Sequence, residues 1–457
     1  MGLLHHPGKM KETLPMDSEN LYLYSLRKMA ESNIEQNRIP LTNLMNLRAF
    51  LYKADDLIRY NNEKYAIIVM DIAGFKMVNE FCSRETGDKL LVFISDCLRS
   101  YENDKTVAAH FRADIFALCT PYQNEDDLVE IVNDLSERIR AFPIACKVMP
   151  AFGICTAQGK ELSASYIQDY AFIAQKTVKG KYFTNYAFFD NTMRDKMLLE
   201  KRIENGFDEA LATNQFKLYI QPKVQMDTGQ IFAGEALVRW LHPVEGLISP
   251  AAFLPVLEKN ASIIAMDKYI WKKTFRFVSE MRCDYGIDIP VSINISRIHA
   301  YDDTLVETLI NLSVGYQVPP HLIPLELTES AYSENEEIMY DKIKALKDYG
   351  FFLSMDDFGS GYSTLNMLVE RPVDEVKFDR GFLFHLENPK YRTLLSHTIH
   401  MLHDLGLPII IEGVETESQK NLLLEWGCKQ AQGFLFYKPM PVEDFKELLI
   451  KQKQQEQ

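Results

Sequence analysis

The sequence predicts an α/β chain in two parts, a smaller α+β domain followed by a (β/α)8 barrel. Three observations carry that expectation. At 457 residues the chain is too long for one ordinary domain. Between about residues 37 and 190, short strand-like runs and helical patterns alternate in mixed order. From about 215 onward eight short apolar runs recur, with helical stretches between most of them, over the roughly 250 residues such a barrel occupies.

Taken in order, residues 1–36 read as a polar tail and then a linker helix, with Leu21, Leu23, Leu26 and Met29 roughly at helical spacing. A lone helix of that kind is ordinarily a linker or a dimer contact. Residues 37–193 form the first domain. In it KYAIIVMDI (64–72) reads as a buried strand, GDKLLVFISDCLRS as a helix, VAAHFRADIFALC as a hairpin region and DLVEIVNDLSERIRAF as a helix. Residues 194–214, charged and helical, link it to the barrel at 215–450, and the final KQKQQEQ is expected to fray. The barrel strands are KLYIQPKV, FAGEALVRW, PVSINIS, IPLELTES, FFLSMDDF, EVKFD, PIIIEGV and QAQGFLF.

Composition excludes several classes. A hydrophobic content of 47% with 25% charged residues is that of a globular protein. No apolar run reaches the roughly 18 residues a membrane span needs. The first twenty residues lack the apolar core of a secretory signal, so a cytoplasmic location is expected. The seven cysteines are odd in number, scattered and free of any C-x-x-C pair, which argues for reduced thiols over a disulfide framework or a zinc site. A net charge of −14 disfavours polymeric nucleic acid, which needs a basic surface. It is compatible with a small phosphodiester held through metal ions.

Polar residues recur at or near the ends of the eight runs. Gln221 follows the first, Glu235 lies in the second and Asn294 in the third; Glu326 and Glu329 are in the fourth. Asp356 and Asp357 close the fifth, Lys377 the sixth and Glu412 the seventh, and Gln432 lies in the eighth. One acid at a strand end is ordinarily solvated or salt-bridged. A barrel, however, gathers its strand ends at one mouth, and so many acids share a site only when cations neutralise them. Oxygen donors without Cys or His indicate Mg²⁺, Mn²⁺ or Ca²⁺ over Zn²⁺. The adjacent pair Asp356-Asp357 suits two ions sharing one carboxylate, the arrangement of in-line phosphoryl displacement. Lys377 would orient the attacking water or stabilise developing negative charge.

The motifs QPKV, EALVRW, SINIS, LELTES, DDFGSGYS, VKFD, IEGVET and QGFLF, in that order, resemble the EAL family of cyclic di-GMP phosphodiesterases over about 215–445. That resemblance implies hydrolysis of cyclic di-GMP to linear pGpG with two Mg²⁺ or Mn²⁺ ions per site. It implies Glu235, Asn294, Glu326 and Asp356 as ligands of one ion, and Asp356, Asp357 and Glu412 as ligands of the other. Lys377 and Gln432 match positions that hold the nucleophilic water and support the catalytic residues. Glu329 matches the anchor of the loop after strand five, which links dimerisation to catalysis, so a homodimer through the barrel is implied. Gln221, Leu237 and Arg239 match substrate-binding positions, and an arginine suits bidentate phosphate recognition. A non-hydrolysing receptor for the same nucleotide is the rival reading. Receptors of that kind in this family usually lack several catalytic acids, and all are present here.

The first domain resembles a GGDEF domain, the diguanylate cyclase fold, in PLTNLMNLRAF (40–50) and MDIAGFKMVN. Asp71 matches a metal ligand, and Asn79 and Asp88 match guanine-reading positions. The signature loop departs from the pattern, reading Arg112-Ala113-Asp114-Ile115-Phe116. Ile115 cannot coordinate Mg²⁺, and Arg112 and Ala113 replace glycines that let the backbone approach phosphates. Asp104 and Val107 stand at the positions of the usual inhibitory R-x-x-D site. Two readings remain for this domain: a vestigial GTP site at Asp71, Asn79 and Asp88, or a structural and dimerising module. The altered loop favours the module.

Overall fold

The computed structural model describes residues 37–157, 162–181, 183–328, 336–359, 368 and 371–456. The tail and helix expected over 1–36 lie outside the described residues, as do Glu329 and much of the loop DFGSGYS. The chain divides into two compact units, Met1–Leu198 and Leu199–Gln457.

In the first unit the described strands form a five-stranded sheet in the order β2-β3-β1-β4-β5. These are β1 (Lys64–Ala73), β2 (Val107–Arg112), β3 (Ile115–Tyr122), β4 (Met149–Thr156) and β5 (Tyr186–Phe188). β2 and β3 pair antiparallel, confirming the hairpin. β1 is central, and strict alternation sends its side chains to opposite faces. Ala66, Ile68, Met70 and Ile72 join one core cluster with α3 (Arg84–Arg99) and α4 (Glu125–Arg140). Tyr65, Ile67 and Val69 join the other, with α1 (Leu47–Tyr60) and α5 (Ala164–Val178). α2 (Phe75–Cys82) runs into α3 through Ser83. Residue 153 must be glycine, because a Cβ there would lie 1.9 Å from the Ala171 carbonyl oxygen of α5.

α6 (Asn191–Ala212) leads into the second unit, where its Ile203, Phe207 and Ala210 pack with Phe216, Trp240 and Phe253. The described strands of that unit make one ten-stranded sheet closed by pairing of its first two strands. Eight form the ring: β6 (Phe216–Gln225), β7 (Ile231–His242), β9 (Val291–Asn294), β10 (Leu325–Thr328), β11 (Leu353–Phe358), β12 (Glu375–Phe378), β13 (Ile409–Glu412) and β14 (Gln430–Gln432). Two short strands, β8 (Gly246–Ile248) and β15 (Met440–Pro441), pair onto β7 and β6. Each of the eight expected runs overlaps a ring strand. The helices between them include α7 (Pro250–Lys259), α8 (Ile263–Tyr285), α9 (Leu305–Tyr316), α10 (Glu336–Tyr349), α11 (Gly381–Phe384), α12 (Pro389–Asp404) and α13 (Glu417–Glu425). α14 (Val442–Glu456) follows the last ring strand.

One strand departs from the regular barrel. β6 runs antiparallel to both β7 and β14, whereas the other ring pairings are parallel. The segment 226–230 between β6 and β7 is too short for a parallel crossover, which needs a dozen residues or more. Gln221 therefore does not follow the first strand, as expected from the sequence, but lies inside it, directly opposite Glu235. No helix of the described residues is long and apolar enough to cross a membrane.

Candidate active site

Ring registers set several of the polar residues of neighbouring strands side by side. Gln221 pairs with Glu235, Asn294 with Glu326, Thr328 with Asp356, and Glu412 with Gln432. The fully buried Lys377 of β12 is at the centre. Its ammonium lies 2.7 Å from Glu412 Oε1, 2.8 Å from Glu326 Oε2, 3.1 Å from Asp356 Oδ1 and 3.4 Å from Glu235 Oε2. A second buried lysine, Lys223 of β6, donates to Glu326 Oε1 at 2.7 Å and to Ser292 Oγ at 3.0 Å. Two ammonium groups thus face four carboxylates, with Asp357 next to them.

That imbalance sets the protonation of the cluster. Burial raises the carboxyl pKa of Glu235, Asp356 and Asp357, reinforced by neighbouring acids and opposed by Lys377. Glu412 is pushed up to about 8, chiefly by burial. Glu326 behaves oppositely. Burial would raise it, but Lys223 and Lys377, one at each oxygen, hold it down at about 2.

A local backbone distortion brings the two adjacent aspartates together. Neighbouring residues of a regular strand point to opposite faces. Here the β11–β12 register shifts between Met355 and Phe358, and Asp357 adopts a left-handed φ of 54°. Aspartate tolerates that conformation better than most residues. Asp356, Asp357 and Glu412 consequently offer carboxylate oxygens within 4.8 Å of one another. An all-oxygen donor set with uncompensated negative charge fits divalent cations of the Mg²⁺ or Mn²⁺ kind.

The amides complete the cluster. Gln432 Nε2 donates to Glu235 Oε2 at 2.7 Å and to Gln221 Oε1 at 2.9 Å, and its buried Oε1 has no hydrogen-bond partner among the described residues. Residue 433 must be glycine for the chain to pass Val414, whose carbonyl oxygen would lie 2.1 Å from a Cβ. Asn294 Nδ2 donates to Glu235 Oε1 at 3.3 Å, and Trp271 Nε1 donates to the Asn294 carbonyl at 3.1 Å. Glu235, Leu237, Arg239, Asn294, Asp267 and Trp271 line an adjoining cleft of about 510 Å³. Arg239 is half-buried there over the Tyr219 ring, with its pKa lowered by burial. Of the barrel residues expected at the site, the structure thus groups all but Glu329, which is not described.

Sequence reasoning missed Lys223, Ser292 and Trp271. Lys223 carried a usable signal: it lies two residues after Gln221 on one strand and so shares its inward face. The expected residues of the first unit are arranged differently. Asp71 Oδ2 accepts from Lys179 at 2.5 Å, while its buried Oδ1 has no hydrogen-bond partner among the described residues. Burial raises Asp71 to about 6, with Lys179 opposing and Asp114 reinforcing. Asn79 packs against Gly87, beside the exposed Asp88. Ala113, in the altered loop, is held at a positive φ of 49°.

The fold and donor set define the class, a closed barrel whose mouth gathers carboxylates and amides from several strands. The EAL domain family matches residues 204–439, a little over half of the chain, so this chain belongs to the EAL family. The diguanylate cyclase GGDEF domain family matches residues 39–181. Among curated relatives, the chain is 29% identical over 422 residues to the bifunctional diguanylate cyclase/cyclic di-GMP phosphodiesterase MucR of Pseudomonas aeruginosa, covering 91% of this chain and 62% of that protein. It is 28% identical over 451 residues to the cyclic di-GMP phosphodiesterase PdeR of Escherichia coli, covering 96% and 67%. The chain spans about half to two thirds of the length of the curated relatives it matches. The solved PaMucR phosphodiesterase, a c-di-GMP complex, matches at 34% identity and a TM-score of 0.51, over 53% of this chain and 99% of that one. The S helix-GGDEF-EAL structure of Vibrio cholerae LapD matches at 17% identity and a TM-score of 0.50, over 91% and 100%, a likeness of fold.

Proposed function

We propose that this chain is a divalent-metal-dependent phosphodiesterase that hydrolyses cyclic di-GMP to pGpG, with its first domain in a regulatory or scaffolding role. The observation that carries the reading is the excess of buried carboxylates over ammonium groups around Lys377. Glu235, Asn294, Glu326 and Asp356 would hold one cation, and Asp356, Asp357 and Glu412 a second. When bound, such a pair activates water and polarises the phosphodiester.

The protein's own side chains do the positioning. Lys377 keeps four carboxylates oriented and offsets part of their repulsion. Arg239 and Gln221 face the cleft and cluster where the substrate phosphates would lie, the arginine as a charge-assisted donor. Hydrolysis adds water across one P–O3′ bond. The water oxygen joins phosphorus, the P–O3′ bond breaks, and the released 3′-oxygen takes a proton, leaving a 5′-phosphate on pGpG.

Purified chain incubated with cyclic di-GMP should form pGpG in Mg²⁺ or Mn²⁺ and stop in chelator, read by chromatography. Tight nucleotide binding without product in either metal would replace the enzyme with a receptor.

A further inference from the structure

The barrel unit holds a second cavity, of about 420 Å³, lined by residues around the start of β6, α8 and the start of α14. Three cations line it: Lys217, Lys273 and Arg276. Lys217 is half-buried and Arg276 exposed. Among the described residues, no carboxylate lies in ion-pair contact with any of the three. Lys273 donates to neutral acceptors, Asn214 Oδ1 at 2.6 Å and the Phe216 carbonyl at 3.1 Å, and lies 4.5 Å over the Tyr269 ring. Two acids also line the cavity. Glu280 is engaged by Lys446, and Glu443 is exposed in the first turn of α14. Positive charge is therefore in excess. Burial, then the repulsion of Lys217 and Arg276, pushes the Lys273 ammonium down to about 8, against a weaker pull from Glu443.

We propose that this cavity binds a phosphate-bearing anion, either inorganic phosphate or a small phosphomonoester, through Lys217, Lys273 and Arg276. A dianion matches the charge excess better than a carboxylate does. The guanidinium supplies planar two-point recognition, and the two ammonium groups act as point charges. The site adjoins the candidate active site through shared elements. α8 also presents Asp267 and Trp271 to the cleft, and the β6–β7 ladder sets Lys217 directly opposite Arg239.

Thermal unfolding of the full chain in chelator, titrated with inorganic phosphate at constant ionic strength, tests the proposal. The midpoint should rise by about 2–4 °C as the site saturates, with chloride giving no rise. Lys217→Gln combined with Arg276→Gln removes two charges while sparing the Lys273 hydrogen bonds, and should abolish the rise. Arg239→Gln, in the other cleft, should retain it. Adenosine 5′-monophosphate as a second probe separates the sources: a larger rise than phosphate gives assigns the site to phosphomonoesters, and a smaller one to inorganic phosphate. An unmoved wild-type midpoint, a rise that survives the double substitution, or a rise lost with Arg239→Gln overturns the proposal.

Discussion

In the barrel, the Lys377 ammonium faces four carboxylates; in the first unit, the Lys179 ammonium meets Asp71 at 2.5 Å. Both sites bury acids, and burial raises acids in both. They differ in what remains after pairing. Around Lys377 negative charge is left over, which bound protons, as at Glu412, or further cations offset. At Asp71 the lysine already occupies a carboxylate oxygen that a metal would need.

The sharpest way to break that comparison is to remove an acid from the outnumbered side. Glu235→Ala should lower turnover of cyclic di-GMP by more than about 100-fold, since even groups that only support metal ligands cost 10–100-fold. The fold should persist, which circular dichroism would check; undiminished turnover would sink the site assignment. Lys223→Met should cost about 10–100-fold in turnover, because Glu326 Oε1 loses the donor that orients it. Metal titrations of that variant should show weaker cation affinity.

The pH dependence of stability in chelator sharpens the contrast further. Glu412 at about 8 and Asp71 at about 6 both bind protons more tightly folded than unfolded, where they titrate near 4.5 and 3.8. Their stabilisation is therefore fully present below those unfolded values and is lost as pH rises through the folded ones. The loss from the first unit should end near pH 6, and that from the barrel should continue to about pH 8. Denaturant midpoints across pH 4–9, with and without Mn²⁺, would resolve the two, and the metal should flatten the upper part. Smallest of all, Asp71→Ala should change turnover in saturating metal by less than about twofold, the scale of an uncoupled substitution. A large drop would mean that the first unit takes part in the chemistry.

Much of the barrel was legible because its strands are short apolar runs, such as Ile409-Ile410-Ile411, that end on a polar residue, Glu412. The antiparallel course of β6 was also written in the sequence, in the turn Asp227-Thr228-Gly229, which leaves no room for a crossover helix. Other features had no local signature. Lys179 and Asp71 are 108 residues apart, so nothing in either neighbourhood marks them as partners. The adjacency of Asp356 and Asp357 was visible, but not the register shift that turns both toward Glu412.

The sequence by itself determined the order of strands and helices, the family motifs and the identity of the oxygen donors, because periodicity and residue chemistry are local properties. Tertiary structure alone decided the charge balance. Which ammonium faces how many carboxylates depends on ring closure and register, and electrostatic energy depends on distance through space rather than along the chain. The same rule separates Lys377, which faces four carboxylates, Lys179, which meets Asp71, and Lys217, which among the described residues forms no ion pair.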